Sequence, residues 1–414
     1  MDPFAFKQHS LKSGLRVFHQ RRDIPWVLCL LWVNAGEIDD PEGKPGIAHL
    51  TEHLLFRGFG DYPQMDDILD LVYWAAERDI IFVTPLVGHH TTQVGCRAEF
   101  RMIEQALRLI HAFMFLPHLD TGLEHELKVI QRERDEKITK RLRDAEKKRL
   151  KAFFGSHPLS QTGRFPEDKL LFSSTLDDVR RYHTRMFDIR NANLALIGDT
   201  PWGKLRPIVK RVFQVKRRRA WSAPKIPQLK LKPPKPRKNI VLCDDDGSGE
   251  TIDINYHWIM PPQDRFALVA LQECLDTLFN KVLRDELKLC YEVDMTYDMT
   301  PLYSELSVSI TVDSSFANVE RARQAIHGIL KDGSGIVDIL PAEIHKHCLD
   351  LRLDIHEIED VLDELMTSVT RIGCPLSLKE IIAGIRAVTE NDVLKILRNH
   401  ITPRLAFVEI VEGE

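Results

Sequence analysis

The sequence predicts an α+β fold assembled from two copies of one unit, and three observations carry that expectation. Short apolar runs of strand length alternate with longer segments whose apolar residues recur at helical spacing. A proline-rich, basic stretch without periodicity divides the chain near its middle. The two halves also close alike. Thr175-Leu176-Asp177-Asp178-Val179 before a helix, then a strand over 193–197, is echoed by Val388-Thr389-Glu390-Asn391-Asp392-Val393, a helix, and a strand over 404–411. Halves of about 200 residues with matching endings indicate a duplicated unit.

Taken in order, 15–18 and 27–33 read as strands around a turn at 21–25. A polar loop over 36–46 leads into an apolar helix. The spacing of Ile68, Leu69, Leu71, Val72, Ala75 and Ala76 predicts a helix over 65–77, followed by strands at 80–87 and 91–96. Residues 99–115 form a helix with Ile103, Ala106, Leu107, Ile110 and Met114 on its apolar face, closed by Pro117. A long, densely charged helix runs over 123–154, most of it a solvated face of mixed sign. Another helix follows at 174–187, and then the strand at 193–197. The basic run 216–219 precedes a stretch with Pro224, Pro227, Pro233, Pro234 and Pro236, read as a solvated interdomain tether. The domains are thus expected at 1–220 and 239–414, with the linker at 221–238. The second half restarts with strands at 240–243 and 252–258 and a helix over 266–287. Strands at 292–297 and 304–312 and helices at 317–330 and 341–369 complete it.

Composition narrows the function classes. The chain has 414 residues, 43% hydrophobic and 29% charged, with net charge -4, as expected of a soluble globular protein with no call for nucleic acid or membrane. Its longest apolar run, 27–33, is far too short to span a bilayer. Cys29, Cys96, Cys243, Cys274, Cys290, Cys348 and Cys374 are scattered, without a C-x-x-C pair, as in reduced cytosolic proteins. Residues 1–7 lack a basic segment followed by an apolar one, so no secretory signal is expected and the predicted location is cytoplasmic.

The chemistry concentrates in Gly46-Ile47-Ala48-His49-Leu50-Thr51-Glu52-His53-Leu54-Leu55-Phe56-Arg57-Gly58. Its centre is H-x-x-E-H, the inverse of the common zincin motif. On a helix, His49 and His53 lie one turn apart on one face, the spacing two imidazoles need to reach one tetrahedral zinc. Glu52 stands beside that position, where a carboxylate can take a proton from water. The bland alternative is an amphipathic core helix with two surface histidines, which the apolar flanks disfavour. A catalytic zinc usually has a third protein ligand. Glu126 and Glu133 on the charged helix are seven residues apart, two turns on one face, with Leu123, Leu127, Val129 and Ile130 indicating partial burial.

With these residues in view, the chain resembles the inverzincin metallopeptidases, the group of pitrilysin, insulinase and mitochondrial processing peptidase. It is most like their short members, which form half of a clamshell. The resemblance covers nearly the whole chain. It includes the approach Asn34-Ala35-Gly36 to His49, the Glu126–Glu133 segment, His157-Pro158-Leu159, Asn191-Ala192-Asn193-Leu194, and Arg284 and Tyr291 seven residues apart. It implies two homologous α/β-sandwich domains, each an antiparallel-rich sheet flanked by helices. It also implies Zn²⁺ on His49, His53 and Glu133, with Glu126 supporting a ligand and Glu52 as the base. Arg284 and Tyr291 would bind substrate and steady the oxyanion. Taken alone, that pair reads as an ordinary helix end with a surface Arg and a packed Tyr.

The expected activity is zinc-dependent hydrolysis of extended peptides inside a dimeric chamber. The dimer is either a homodimer or a heterodimer with a related subunit, and Arg284 and Tyr291 would then serve the partner's zinc. The alternatives are a dedicated maturation protease for one small peptide, a non-catalytic structural subunit of the same fold, and a hydrolase of non-peptide amides. Three local departures stand out. The family's Asn-Ala-x-Thr substrate strand is missing around 83–86, where Pro85 removes a backbone donor. The usual glycine between Arg284 and Tyr291 is Lys288. The gap from His53 to Glu133 is slightly long. His89, His90, His111, His118 and His125 fit no single helix face and are not expected to bind a second metal. His345 and His347 are expected at the surface.

Overall fold

The computed structural model describes every residue except 1, 63–67, 138–139, 162–165, 215–220, 223–228, 232–239, 244–250, 314, 354–355 and 413–414. The first half contains β1 (Lys7–Ser10), β2 (Arg16–Arg21), β3 (Val27–Val33), α1 (Ile47–Leu55), α2 (Ile68–Ala76), β4 (Ile80–Val87) and β5 (Thr92–Ala98). It continues with α3 (Ile103–Phe115), α4 (Leu123–Lys137), α5 (Lys140–Phe154), α6 (Asp168–Leu171), α7 (Leu176–Met186), β6 (Ala192–Gly198) and α8 (Trp202–Val212). The second half contains β7 (Ile240–Cys243), β8 (Thr251–Met260), α9 (Arg265–Phe279), β9 (Cys290–Met299), β10 (Ser304–Asp313), α10 (Phe316–Asp332) and α11 (Ser334–Leu353). It closes with α12 (Ile358–Ile372), α13 (Leu378–Arg386), α14 (Glu390–His400) and β11 (Phe407–Glu412).

Duplication is visible in the pairing. The first sheet has the order β1-β2-β6-β3-β5-β4 and the second β7-β11-β8-β10-β9. Apart from the extra edge strand β1, the two orders are the same. In each, the half's last strand lies parallel to an early one (β2 with β6, β7 with β11), and every other pair is antiparallel. The echo in the sequence has a physical basis too. Thr175 with Asp178, and Thr389 with Asp392, close reciprocal capping boxes at the starts of α7 and α14.

The two sheets differ in what covers them. Each packs one face on the helices of its own half. In β3, Val27, Cys29, Leu31 and Val33 face that core, while Leu28, Leu30 and Trp32 join Phe18, Ala195 and Ile197 on the other face. This second face is covered by Leu362, Leu365 and Val369 of α12, a helix of the other half. The exchange is reciprocal, for α5 of the first half lays Leu150, Phe153 and Phe154 on Ile259, Tyr303 and Phe407 at the second sheet. A strand buried on both faces reads as a continuous apolar run, as β3 does. β8 instead alternates, with Ile252, Ile254, Tyr256 and Trp258 inward and Asp253, Asn255 and His257 on the opposite face.

Several boundaries differ from the sequence reading. The charged helix expected over 123–154 is two helices, α4 and α5, with 138–139 between them outside the described residues. The helix expected over 341–369 is also two. Pro341 lies inside α11, and α12 begins at a fresh N-cap, Glu357, whose amide donates to Asp360 Oδ2. The helix expected over 266–287 is α-helical only to Phe279, after which Asn280–Glu286 is wound as π-helix. α8 and α13 were not foreseen. Most of the expected tether lies outside the described residues, but Trp221 donates to the Arg185 carbonyl, and Leu229 and Leu231 pack beside α5. His347 is not a plain surface residue, since its Nδ1 lies 3.3 Å from Glu273 Oε1. No described helix is long and apolar enough to cross a membrane.

Candidate metal centre

α1 is a short helix of nine residues, and eight of them are buried. Its entry is shaped by Gly46, which takes a left-handed φ of 83°. The orphan amides of its first turn find a partner outside the helix. Gly46 N and Ala48 N donate to the two oxygens of buried Asp40 at 2.6 and 2.8 Å. His49 and His53 then project one turn apart, with Glu52 buried beside them.

α4 crosses this face and supplies the two glutamates. Leu127 and Ile130 bury one side of α4, which brings Glu126 and Glu133 against the histidines. His49 Nε2 and His53 Nε2 are 3.1 Å apart, and Glu133 Oε2 lies 3.4 Å from the first and 3.7 Å from the second. Among the described residues, these three form the one group of His, Cys, Asp or Glu side chains converging closely enough to hold a metal ion. Two bonds of about 2.0–2.1 Å at a tetrahedral angle put their donor atoms roughly 3.3–3.4 Å apart. The three separations straddle that value. Glu133 Oε2 is buried and meets the two imidazole nitrogens at ion-pair separations without a well-formed hydrogen bond, an arrangement that a cation between the three atoms would satisfy. The residues present therefore fit zinc.

The surroundings fix the ligands. His53 Nδ1 donates to Glu126 Oε2 at 3.0 Å, leaving Nε2 for a metal. Glu126 is held in turn by Arg57, whose Nε donates to Oε1 at 2.7 Å. Arg57 is buried and lies against Gly122, where a Cβ would meet its side chain at 3.0 Å, so Gly122 leaves it room. Burial pulls the His53 imidazole down, but Glu126, Glu133 and the nearby charge of Glu52 outweigh it and push it up to about 9. His49 first, and then His53, hold the Glu133 carboxyl far below the usual carboxylate range. Burial pushes Glu126 up, yet His53 and Arg57 leave it below its ordinary value. A pocket that stabilises the protonated His53 imidazole against two carboxylates is one in which a divalent cation can replace a proton.

Sequence reasoning named His49, Glu52, His53, Glu126 and Glu133, and the fold gathers all five. It missed Arg57 and Asp40. A charge closing an apolar helix was the available signal for Arg57; an aspartate six residues before a helix-opening glycine gave little for Asp40.

Arg284 and Tyr291 lie elsewhere. Arg284 sits in the π-helical segment, paired with Asp285, and Tyr291 is the second residue of β9, with 91% of its surface exposed. Between them Lys288 takes a left-handed φ of 54°, the conformation a glycine would favour. Both line a cleft of about 1180 Å³ whose described walls belong to the second half alone. Within this chain the pair does not meet the histidine site. Three of the histidines set aside as a second metal site, His89, His90 and His111, have other partners. His89 meets Glu37 and Tyr303, His111 packs at an angle against Phe115 and edge-on against Phe213, and His90 packs edge-on against His89.

Two helix-flanked sheets of matching topology, with an H-x-x-E-H helix in the first, define a half-clamshell architecture. Comparison agrees: residues 17–167 match the family model described as insulinase, peptidase family M16, and residues 173–334 match the one described as peptidase M16 inactive domain. The chain belongs to peptidase family M16. It is 21% identical over 223 residues to insulin-degrading enzyme of Drosophila melanogaster. It is 26% identical over 201 residues to a Haemophilus influenzae protein named probable zinc protease PqqL. The matches take in 51% and 46% of this chain but only 22% and 21% of those longer relatives. Among solved structures, a protease from Helicobacter pylori superposes with TM-score 0.81 at 14% identity, covering 99% of both chains. The periplasmic protease PqqL from Escherichia coli superposes with TM-score 0.78 at 15% identity, covering 98% of this chain and 47% of that one. This chain thus corresponds in fold to one half of the larger protein.

Proposed function

We propose that this chain is a zinc-dependent metalloendopeptidase acting on extended peptides, completed by a second copy or a related subunit. The observation that carries the reading is the convergence of two imidazole nitrogens and a buried carboxylate oxygen at tetrahedral spacing, with Glu52 alongside. Zinc held by His49, His53 and Glu133 supplies a Lewis acid, which makes water nucleophilic near neutral pH and polarises a carbonyl. The chain's own residues do the rest. Glu52 accepts a proton from the attacking water and returns it to the leaving amine. Glu126 and Arg57 keep His53 oriented.

Substrate presentation follows from the sheet. β4 is the terminal strand of the first sheet and lies next to α1, so its free edge can take a peptide as an added strand. Arg284 and Tyr291, remote from the zinc ligands in this chain, suit the partner's site, where a fixed cation and a phenol donor would steady the oxyanion. A narrower reading, a dedicated protease for one small peptide, is favoured by a particular feature of β4. Its register slips between Val83 and Leu86, around Pro85, which interrupts the edge that generic peptides would pair with.

The test compares wild type with Glu52→Gln for zinc content and cleavage of a mixed peptide library. Equal zinc in both, with cleavage reduced by about 10²–10⁴-fold in the variant, is the expected result. Zinc-free wild type, or a variant as active as its parent, would refute it.

A further inference from the structure

A chain of contacts runs from the second half of the molecule to the start of α1. It begins at Tyr303, in the turn between β9 and β10, whose backbone is clamped by Thr300 and whose ring packs on Phe154 of α5. The Tyr303 hydroxyl is 2.7 Å from His89 Nε2. His89 belongs to the turn that follows β4, and its Nδ1 is 3.1 Å from Glu37 Oε2. Backbone bonds reinforce this contact, since Glu37 N donates to the Gly88 carbonyl and Ile38 N to that of His89. The approach is so close that a Cβ on Gly36 would meet those two carbonyl oxygens at 2.4 and 2.5 Å. One step further, Asp40 N donates to the Glu37 carbonyl, and the Asp40 carboxylate caps α1.

We propose that His89 is a positioning residue through which the seating of the second half sets the placement of the metal-binding helix. The proposal rests on the zinc reading given above. His89 touches neither metal nor substrate; it acts through the 36–40 turn and Asp40. The same imidazole stands just past the end of β4, so the substrate strand, the 36–40 turn that leads to the metal helix, and the opposite half meet at one side chain. A displaced second half would pull on the 36–40 turn, and α1 has little slack, because its first-turn amides are bonded to the aspartate carried by that turn.

Arg97 and Glu359 supply a control, since their exposed pair at 2.7 Å also crosses between the halves but lies outside this path. The experiment measures zinc dissociation constants by chelator competition, together with metal-free thermal midpoints, in the full-length protein. It compares wild type, Tyr303→Phe, His89→Gln, the double variant and Arg97→Gln. Tyr303→Phe removes one hydroxyl and keeps the packed ring. Zinc affinity is expected to fall about three- to tenfold in each path variant, less than the ~10–100-fold typical of a lost outer-ligand contact. The double variant should be no worse than His89→Gln alone, because the two changes break one path. Arg97→Gln should bind zinc as the parent does. Path variants that lose thermal stability but bind zinc within about twofold of wild type, or whose losses add, would overturn the coupling while leaving the zinc site intact. A wild type that binds no zinc would overturn the site reading and this inference together.

Discussion

If His53 holds the proposed zinc, a proton and the metal compete for the same nitrogen. With no metal bound, the folded protein holds the imidazolium more tightly than an unfolded chain does, up to about 9 against an ordinary 6.5. The sign follows from linkage. This contribution to metal-free stability is fully present below about pH 6.5 and is lost as pH rises through about 9. Zinc needs the neutral ring, so its apparent affinity should climb with pH across that window by up to about tenfold per unit, with a proton released on binding. Calorimetry at pH 7 in buffers of different ionisation enthalpy measures the proton count, and a binding heat that ignores the buffer would contradict the assignment. Glu126→Gln should weaken zinc by about 10–100-fold without unfolding the chain, as read by chelator competition. Much of this was legible beforehand, because His49, Glu52 and His53 share one helix and Glu126 and Glu133 another. Arg57 and Asp40 were not. Their roles depend on partners that folding supplies: Glu126 is 69 positions from Arg57, and only the bend of the 36–46 loop shows which amides Asp40 serves.

Among the elements, α12 shows what sequence periodicity conveys and what it omits. Its amphipathic face was readable as helix, but nothing local says that Leu362, Leu365 and Val369 cover a sheet belonging to the other half. Leu365→Ala should cost about 2–5 kcal/mol in urea unfolding, as for a buried leucine with little room to collapse. A cost below about 1 kcal/mol would mean that α12 contributes little to that interface. The merged helix over 341–369 traces to the same limit, since a new capping residue, Glu357, breaks a helix without breaking its apolar pattern. The π-helical segment was equally hidden. It leaves side-chain types unchanged and appears only in the backbone bonds, such as Leu287 N to the Val282 carbonyl.

At the level of the whole molecule, the duplicated topology was partly readable from its echoed capping boxes, whereas the reciprocal covering by α5 and α12 was not. That exchange predicts that neither half is self-sufficient. Expressed alone, a fragment ending after α8 should be insoluble or bind a hydrophobic dye, with Phe18, Leu28, Leu30 and Trp32 uncovered. Co-expression with the remainder should restore a soluble complex, and a freely soluble, compact first half would contradict this. The exchange also has a consequence during synthesis. The last strand of the first sheet ends at Gly198, but the helix that shields that sheet is not finished until Ile372. At about 5–20 residues per second, the ribosome leaves that apolar face open for roughly ten to thirty-five seconds. A nascent chain of this design should expose its first half rather than its second to holdase chaperones, and its soluble yield should rise when such holdases are co-expressed.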